Sequence, residues 1–371
     1  MHYSYRNVND AFTGLVQGVL RGSIAVSKQN SRNGDVLRIP GPVTITYYRP
    51  TERVLFNTVR DSNPFFHLFE SLWMLAGRND VAPLKFFVDT IDDFSDNGET
   101  FNGAYGYRWR HHAARYTEFP GAAQTDRYGH QGFDQLEHLI AHLKSNPDSR
   151  RAVLTMWNVE DDLSKVDNSL GQFSKDTACN LSVVFEINQT TVPPQLEMTV
   201  FNRSNDMIWG MFGANVVHFS FLQEYMAARL GVEVGHYHQI STNLHIYTQR
   251  WLGKSYLESE NMRSPDYRQP KKLIPLVQNV EVFDVENKLF IDNFLGLYTE
   301  PFLATVAQPM CRAYNYHKTT RDYGNAFKEM ELVASEDWKI AGITWLKKRE
   351  ANWKLKQLKQ DKENGKETTG S

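Results

Sequence analysis

Apolar residues recur at three- and four-residue spacing through "NPFFHLFESLWMLAG" (63–77), with Pro64 near the start and Gly77 at the end, a pattern that predicts a helix. "FDQLEHLIAHLKSNPDSRR" (133–151) reads as a second helix, stopped at Asn146-Pro147. "RAVLTMWNV" follows as a buried strand. The segments 181–188 ("LSVVFEIN") and 195–202 ("QLEMTVFN") are rich in β-branched and aromatic residues, and "QTTVPP" between them cannot continue a ladder, so they predict a hairpin. Pairing Asn188 with Gln195 fixes the sum of opposed positions and sets Cys179 opposite Ser204 and diagonal to Arg203. "VVHFSFLQEYMAARLG" (216–231) predicts a long buried helix ending at glycine.

Together these elements indicate an α/β chain, a large mixed sheet flanked by helices. Beyond about residue 285 the pattern turns helical and increasingly charged. The expected organisation is one domain over 1–285, a helical extension over 286–358, and a disordered tail over 359–371, where no apolar anchor remains. No internal repeat is visible.

Composition narrows the functional classes. With 41% hydrophobic and 13% aromatic residues the chain can bury a large core. A formal charge of -2 argues against broad capture of nucleic acid or anionic lipid, so phosphate must be held by local arginines. The amino terminus lacks a secretory pattern and no stretch approaches the ~20 apolar residues of a membrane span. Two cysteines, Cys179 and Cys311, are too few for a disulfide framework or a metal knuckle; a reducing cytoplasm is the expected setting, and no metal is expected.

A lone cysteine at the mouth of a strand more often packs than reacts. Its neighbours favour chemistry. A thiolate needs nearby positive charge, which the hairpin supplies as Arg203. "SRR" (149–151) adds Arg150 and Arg151 at a helix-to-strand corner, where paired guanidinium forks can grip a phosphate.

"AYGYRWR" (104–110), "NPDSRRAVLTMWNVEDD" (146–162), the Cys179 strand, "NRSNDMIWG" (202–210) and "LHIY" (244–247) occur in an order that resembles the thymidylate synthase family, which includes the pyrimidine nucleotide hydroxymethylases of bacteriophages. The likeness covers roughly residues 25–250. It implies a homodimer on a large mixed sheet, with 5,10-methylenetetrahydrofolate as cosubstrate for one-carbon addition at C5 of a pyrimidine deoxynucleotide monophosphate. Cys179 is then the thiolate that adds to C6 and makes C5 nucleophilic. By the same resemblance Arg32, Arg203 and Ser204 hold the phosphate, with Arg150 and Arg151 reaching over from the partner subunit. Glu70 organises water and relays protons, and a glutamate in an apolar helical stripe is costly to bury without such a task. Tyr105 assists proton removal from C5, Asp206 belongs to the base and folate pocket, and His245 and Tyr247, on one face of a strand, bind the sugar hydroxyl.

Departures from the synthase pattern are informative. Asn180 stands where synthases commonly carry histidine after the cysteine. "TIDDF" (90–94) lacks an expected tryptophan, Phe94 filling the second aromatic place. A lost aromatic shield favours water over hydride at the exocyclic methylene. The loop "WGMFGANVVHF" is one residue longer than its counterpart, and Asn215 is the nearest match to the asparagine that reads uracil, where deoxycytidylate enzymes carry aspartate. The chain also lacks the short apolar carboxyl terminus of synthases. The reading is a folate-dependent C5 hydroxymethylase, with dUMP preferred to dCMP. The alternatives are thymidylate synthase itself and, in another class, a non-catalytic nucleotide- or RNA-binding module.

Overall fold

The computed structural model describes residues 1–31, 33–58, 60–111, 124–125, 131–163, 166–167, 172–251 and 266–367. In chain order the elements that build the site are β1 (His2–Tyr5), α1 (Val8–Leu20), β2 (Ser27–Gln29), β3 (Val36–Arg38), β4 (Val43–Tyr47), α2 (Pro64–Leu75), α3 (Tyr105–Arg110), α4 (Gln135–Ser145), β5 (Val153–Thr155), β6 (Asn180–Asn188), β7 (Gln195–Asn202), β8 (Asn205–Asp206), α5 (Asn215–Leu230), β9 (Glu233–Ser241) and β10 (Leu244–Tyr247). Four further helices follow: α6 (Val280–Asp292), α7 (Gln308–Asn315), α8 (Tyr323–Leu332) and α9 (Glu336–Glu367).

Six strands form a mixed sheet in the order β1-β4-β9-β7-β6-β5, and a second sheet runs β8-β10-β3-β2. Alternation decides which face is buried: Leu196, Met198 and Val200 of β7 and Val183 and Phe185 of β6 point to the helices and are fully covered, whereas their neighbours along each strand are partly exposed. The expected strand after the second helix shortens to Val153–Thr155. It is an edge strand, with Val153 44% exposed.

Helix boundaries follow local chemistry. Asn63 caps α2 by accepting from the backbone N–H of Phe65 and Phe66, and Pro64 takes the first turn, where its missing N–H costs nothing. Helix α5 ends at Gly231, whose φ of 73° is the left-handed conformation that closes a helix cheaply only without a Cβ. At Gly106 a Cβ would lie 2.1 Å from the Met74 carbonyl oxygen, so glycine lets α3 touch α2 backbone to backbone.

The carboxyl-terminal helices are continuous with this core. Phe283, Phe290, Met310, Cys311, Trp338 and Leu346 are buried in the same apolar cluster as the sheet, and Asn287 donates to the Leu72 carbonyl at 2.9 Å. The boundary expected at 285 therefore falls inside α6, because the apolar stripe of that helix is covered by α2. The tail expected from 359 is also revised. Helical backbone runs on to Glu367, since Lys, Gln and Glu propagate a helix well. No helix among the described residues is long and apolar enough to cross a membrane.

Candidate active site

The β6–β7 hairpin keeps the expected register from Asn188↔Gln195 to Ser182↔Phe201, then shifts by one, so that Asn180 faces Asn202. This bulge corrects the expected pairing. Cys179 lies opposite Arg203, whose N–H donates to the Cys179 carbonyl at 3.0 Å, and not opposite Ser204. The guanidinium folds back over the strand end: Nε donates to Ala178 O at 2.8 Å, Nη2 to Thr177 O at 3.1 Å, and Nη2 stands 3.8 Å from Cys179 Sγ. Trp157 stacks beneath it, 5.6 Å from ring centroid to Cζ. A cation fixed at that distance favours the thiolate over the thiol. Cys311, by contrast, is fully buried among apolar groups, and burial pushes its thiol far up.

Tyr105, the first residue of α3, stands beside this thiol. Burial first, then Cys179 and Asp176, push its hydroxyl above the ordinary range. Asp176 accepts from the Gly103 N–H at 2.8 Å, and Arg108 locks the same corner by reaching Asp162 and the Met156 carbonyl. Asn180 is fully buried, and its side-chain amide bears on the Tyr105 hydroxyl, opposing part of that upward push.

Glu70 projects from the buried side of α2. His218, on the facing turn of α5 and 2% exposed, sets its Nε2 2.9 Å from Glu70 Oε2. The contact is at ion-pair distance but poorly angled, and Glu70 Oε2 and both His218 nitrogens remain without an aligned partner among the described residues. His67 lies one helical turn from Glu70; burial first, then Arg60 and His218, hold its imidazole well below the usual range.

Asp206 ends β8 and turns the chain into a π-helical segment, Met207–Ala214, by accepting from Ile208 N at 2.7 Å and Trp209 N at 2.6 Å. Burial raises its carboxyl, and His245, its cross-strand partner on β10, is lowered, again chiefly by burial. Tyr247 meets the His245 ring edge to face at 5.3 Å, two positions along the same strand face. A π-helical segment holds more residues per turn than an α-helix. Gly213 bends there with φ -116° and ψ -109°. Asn215 then opens α5, its Nδ2 donating to Asn205 Oδ1 at 3.2 Å.

The structure thus brings Cys179, Arg203 and Tyr105 to one corner, Glu70 against His218, and Asp206 against His245 and Tyr247. Ser204 follows Arg203 and is partly buried. Arg32 lies outside the described residues. Arg150 and Arg151 are exposed, and within one chain they do not meet Cys179. The β5–β6 register sets Arg151 opposite Glu186, about seven residues and roughly 23 Å along the strand at about 3.3 Å per residue. Phe94 is 49% exposed on a short turn, Ile91–Phe94, and covers little by itself. Sequence reasoning missed His218, His67, Arg60, Asp176 and Trp157. Polar residues interrupting the apolar stripes of "PFFHLFESL" and "VVHFSF" were the available signal for the two histidines.

A thiol beside a fixed guanidinium, a buried carboxylate–imidazole pair and an aspartate–histidine pair, gathered at one end of a mixed sheet, define a class. The chain belongs to the thymidylate synthase family, whose profile matches residues 11–292. Within that family it is 40% identical over 369 residues to the deoxyuridylate hydroxymethyltransferase of Pseudomonas phage M6, covering 95% of this chain and 96% of that one. The enzyme of the same name from Bacillus phage SP01 is 38% identical over 230 residues, 60% of this chain and 55% of the relative. The thymidylate synthase of Equine herpesvirus 2 is 30% identical over 233 residues, 59% of this chain and 73% of the relative. These relatives transfer one-carbon groups, and this chain is an enzyme of that class.

Proposed function

We propose that the protein hydroxymethylates C5 of dUMP through a Cys179 adduct at C6, with 5,10-methylenetetrahydrofolate as donor, in the cytoplasm of a phage-infected bacterium. The observation that carries this reading is the Arg203 guanidinium held 3.8 Å from Cys179 Sγ by two backbone carbonyls. Full-length likeness to a phage deoxyuridylate hydroxymethyltransferase supports the choice of base and product.

The folate site is supported by Asp206, whose Oδ2 is buried without a partner among the described residues and offers an acceptor to a pterin N–H. Bound folate supplies a one-carbon unit at the oxidation level of formaldehyde. The chain's own residues do the rest. The thiolate adds to C6, the C5=C6 pair moves towards C4–O4, and C5 becomes the nucleophile that takes up the carbon. Tyr105 assists removal of the C5 proton, and the electron pair so released breaks the bond between the transferred carbon and the folate nitrogen, so that tetrahydrofolate leaves and an exocyclic methylene remains on the nucleotide. Water then adds to that methylene: its oxygen forms the new C–O bond, the π pair shifts to O4, and its proton passes to Glu70, with His218 holding the carboxylate. Reforming C5=C6 expels the Cys179 thiolate. Arg203 and Ser204 hold the phosphate with Arg32, while His245 and Tyr247 hold the sugar. Arg150 and Arg151, exposed at the far end of the sheet, reach the phosphate bound by the partner in a homodimer.

The test is product analysis. Purified protein is incubated with dUMP or dCMP and methylenetetrahydrofolate, and the nucleotide is weighed. Gain of CH2O on dUMP with tetrahydrofolate released is the expected result; gain of CH2 with dihydrofolate formed makes the enzyme a thymidylate synthase.

A further inference from the structure

Three polar side chains run in a row from the end of the large sheet to the first residue of α5. Asn205 opens β8, where its backbone N–H donates to the Asn243 carbonyl at 2.9 Å and fixes the residue beside the start of β10. It is 2% exposed, and Ser241, the last residue of β9, is fully buried. Asn205 Nδ2 donates to Ser241 Oγ at 3.2 Å, which leaves Oδ1 to accept from Asn215 Nδ2, also at 3.2 Å. Ser241 belongs to the six-stranded sheet and Asn205 to the four-stranded one, so the Asn215 amide is tied to both.

The direction of this row bears on base choice. One hydrogen of the Asn215 amide is engaged by Asn205; the second hydrogen and Oδ1 are what O4 and N3–H of uracil require. Cytosine presents a donor at position 4 and an acceptor at N3, so it requires the amide the other way round. Inverting Asn215 alone sets its Oδ1 against Asn205 Oδ1, two acceptors face to face. Inverting the whole row turns Asn205 and Ser241 as well, both of them buried. Gly210, in the π-helical segment, leaves room for the contact: a Cβ there would lie 2.6 Å from Asn205 Oδ1 and 3.1 Å from Asn215 Nδ2. Any other residue would press between the two amides.

We infer, resting on the preference for dUMP in the proposed function, that Asn205 is a positioning residue for base choice: it holds the Asn215 amide in the sense uracil requires and opposes the inverted sense that cytosine requires. Dissociation constants of the full-length protein for dUMP and dCMP are measured by calorimetry without folate, so the outcome does not depend on which one-carbon product forms. Wild type is expected to favour dUMP. Asn205→Leu removes the acceptor that faces Asn215 and should lower the dCMP-to-dUMP ratio of dissociation constants about tenfold or more. Asn205→Asp keeps an oxygen facing Asn215, lets Ser241 donate to the other and, as a carboxylate, offers Asn215 no donor, so it should keep the wild-type ratio or raise it. Gly210→Ala leaves all three polar groups in place and should lower the ratio as the leucine variant does, which carries the test if that variant fails to fold. Inorganic phosphate should compete with dUMP equally well in all four proteins, since the phosphate grip is untouched. A wild type that binds dCMP as tightly as dUMP sinks the base choice of the proposed function and this inference with it. A wild type that favours dUMP, with the ratio unchanged in Asn205→Leu and Gly210→Ala or lost in Asn205→Asp, overturns the role of Asn205 alone. A ratio that falls only where phosphate competition falls too marks general disruption of the site and overturns it as well.

Discussion

His218→Phe tests the division of labour inside the site. The wild-type imidazole reaches Glu70 Oε2 at 2.9 Å and is 2% exposed, so a phenyl ring fills much of the space but leaves the carboxylate beside a hydrocarbon. A hydrogen bond to a charged group is worth about 1.5–3 kcal/mol, the value this contact reaches if the two side chains align during turnover. At about 1.4 kcal/mol per decade, kcat should fall roughly 10- to 150-fold. In the proposed function the substrate grip is assigned elsewhere, to Arg203, His245 and Tyr247, so KM for dUMP should change little. Rapid quenching followed by mass analysis of the denatured protein should show a nucleotide adduct accumulating on Cys179, because the thiol adds normally while water attack is slow. His218→Gln, which restores a donor of similar reach, should recover part of the rate. A phenylalanine variant that turns over within twofold of wild type, with no adduct build-up, would refute the role of His218 in holding Glu70.

Cys179→Ser should abolish turnover while dUMP still binds, measured by calorimetry; Cys311→Ser, in a buried apolar setting, should leave kcat unchanged. Asn215→Asp should move preference from dUMP towards dCMP by about tenfold to hundredfold, since a mispaired buried polar group costs about 1–3 kcal/mol, and the ratio of kcat/KM values reads it directly. His317 titrates down at about 4, through burial first and then Arg321, Arg349 and Lys318, so between its unfolded value near 6.5 and that point the unfolded chain binds the extra proton. Stability should therefore fall as pH drops through that window, and His317→Gln should flatten this part of the denaturation profile.

Much of this fold was legible because its signals are local. Alternation gave the hairpin, and its register held as far as Ser182, since a regular ladder is determined by one pair. It failed at the bulge beside Cys179, where two residues oppose one and no periodicity marks the extra residue. That single step decides whether the thiol faces Arg203 or Ser204. The carboxyl-terminal helices were recognised as helical, yet their union with the core was not, because burial of Phe283 and Phe290 depends on α2 and not on their own pattern. His218 was hidden for a related reason. One histidine in an apolar stripe looks like packing until the facing helix is known to carry Glu70.

The π turn at Met207–Ala214 has a consequence for how this chain can change. A residue added within an ordinary α-helix rotates everything after it by about 100°, which would swing Asn215 and His218 away from their partners. Here the kink at Gly213 separates α5 from the π-helical segment before it, so the phase of α5 is not set by a continuous helix upstream. Asn215 and His218, three apart on α5, ride together behind that kink. A residue added ahead of that kink can be taken up before α5 begins, whereas one inserted between Asn215 and His218 would turn His218 away from Glu70 and leave Asn215 in place.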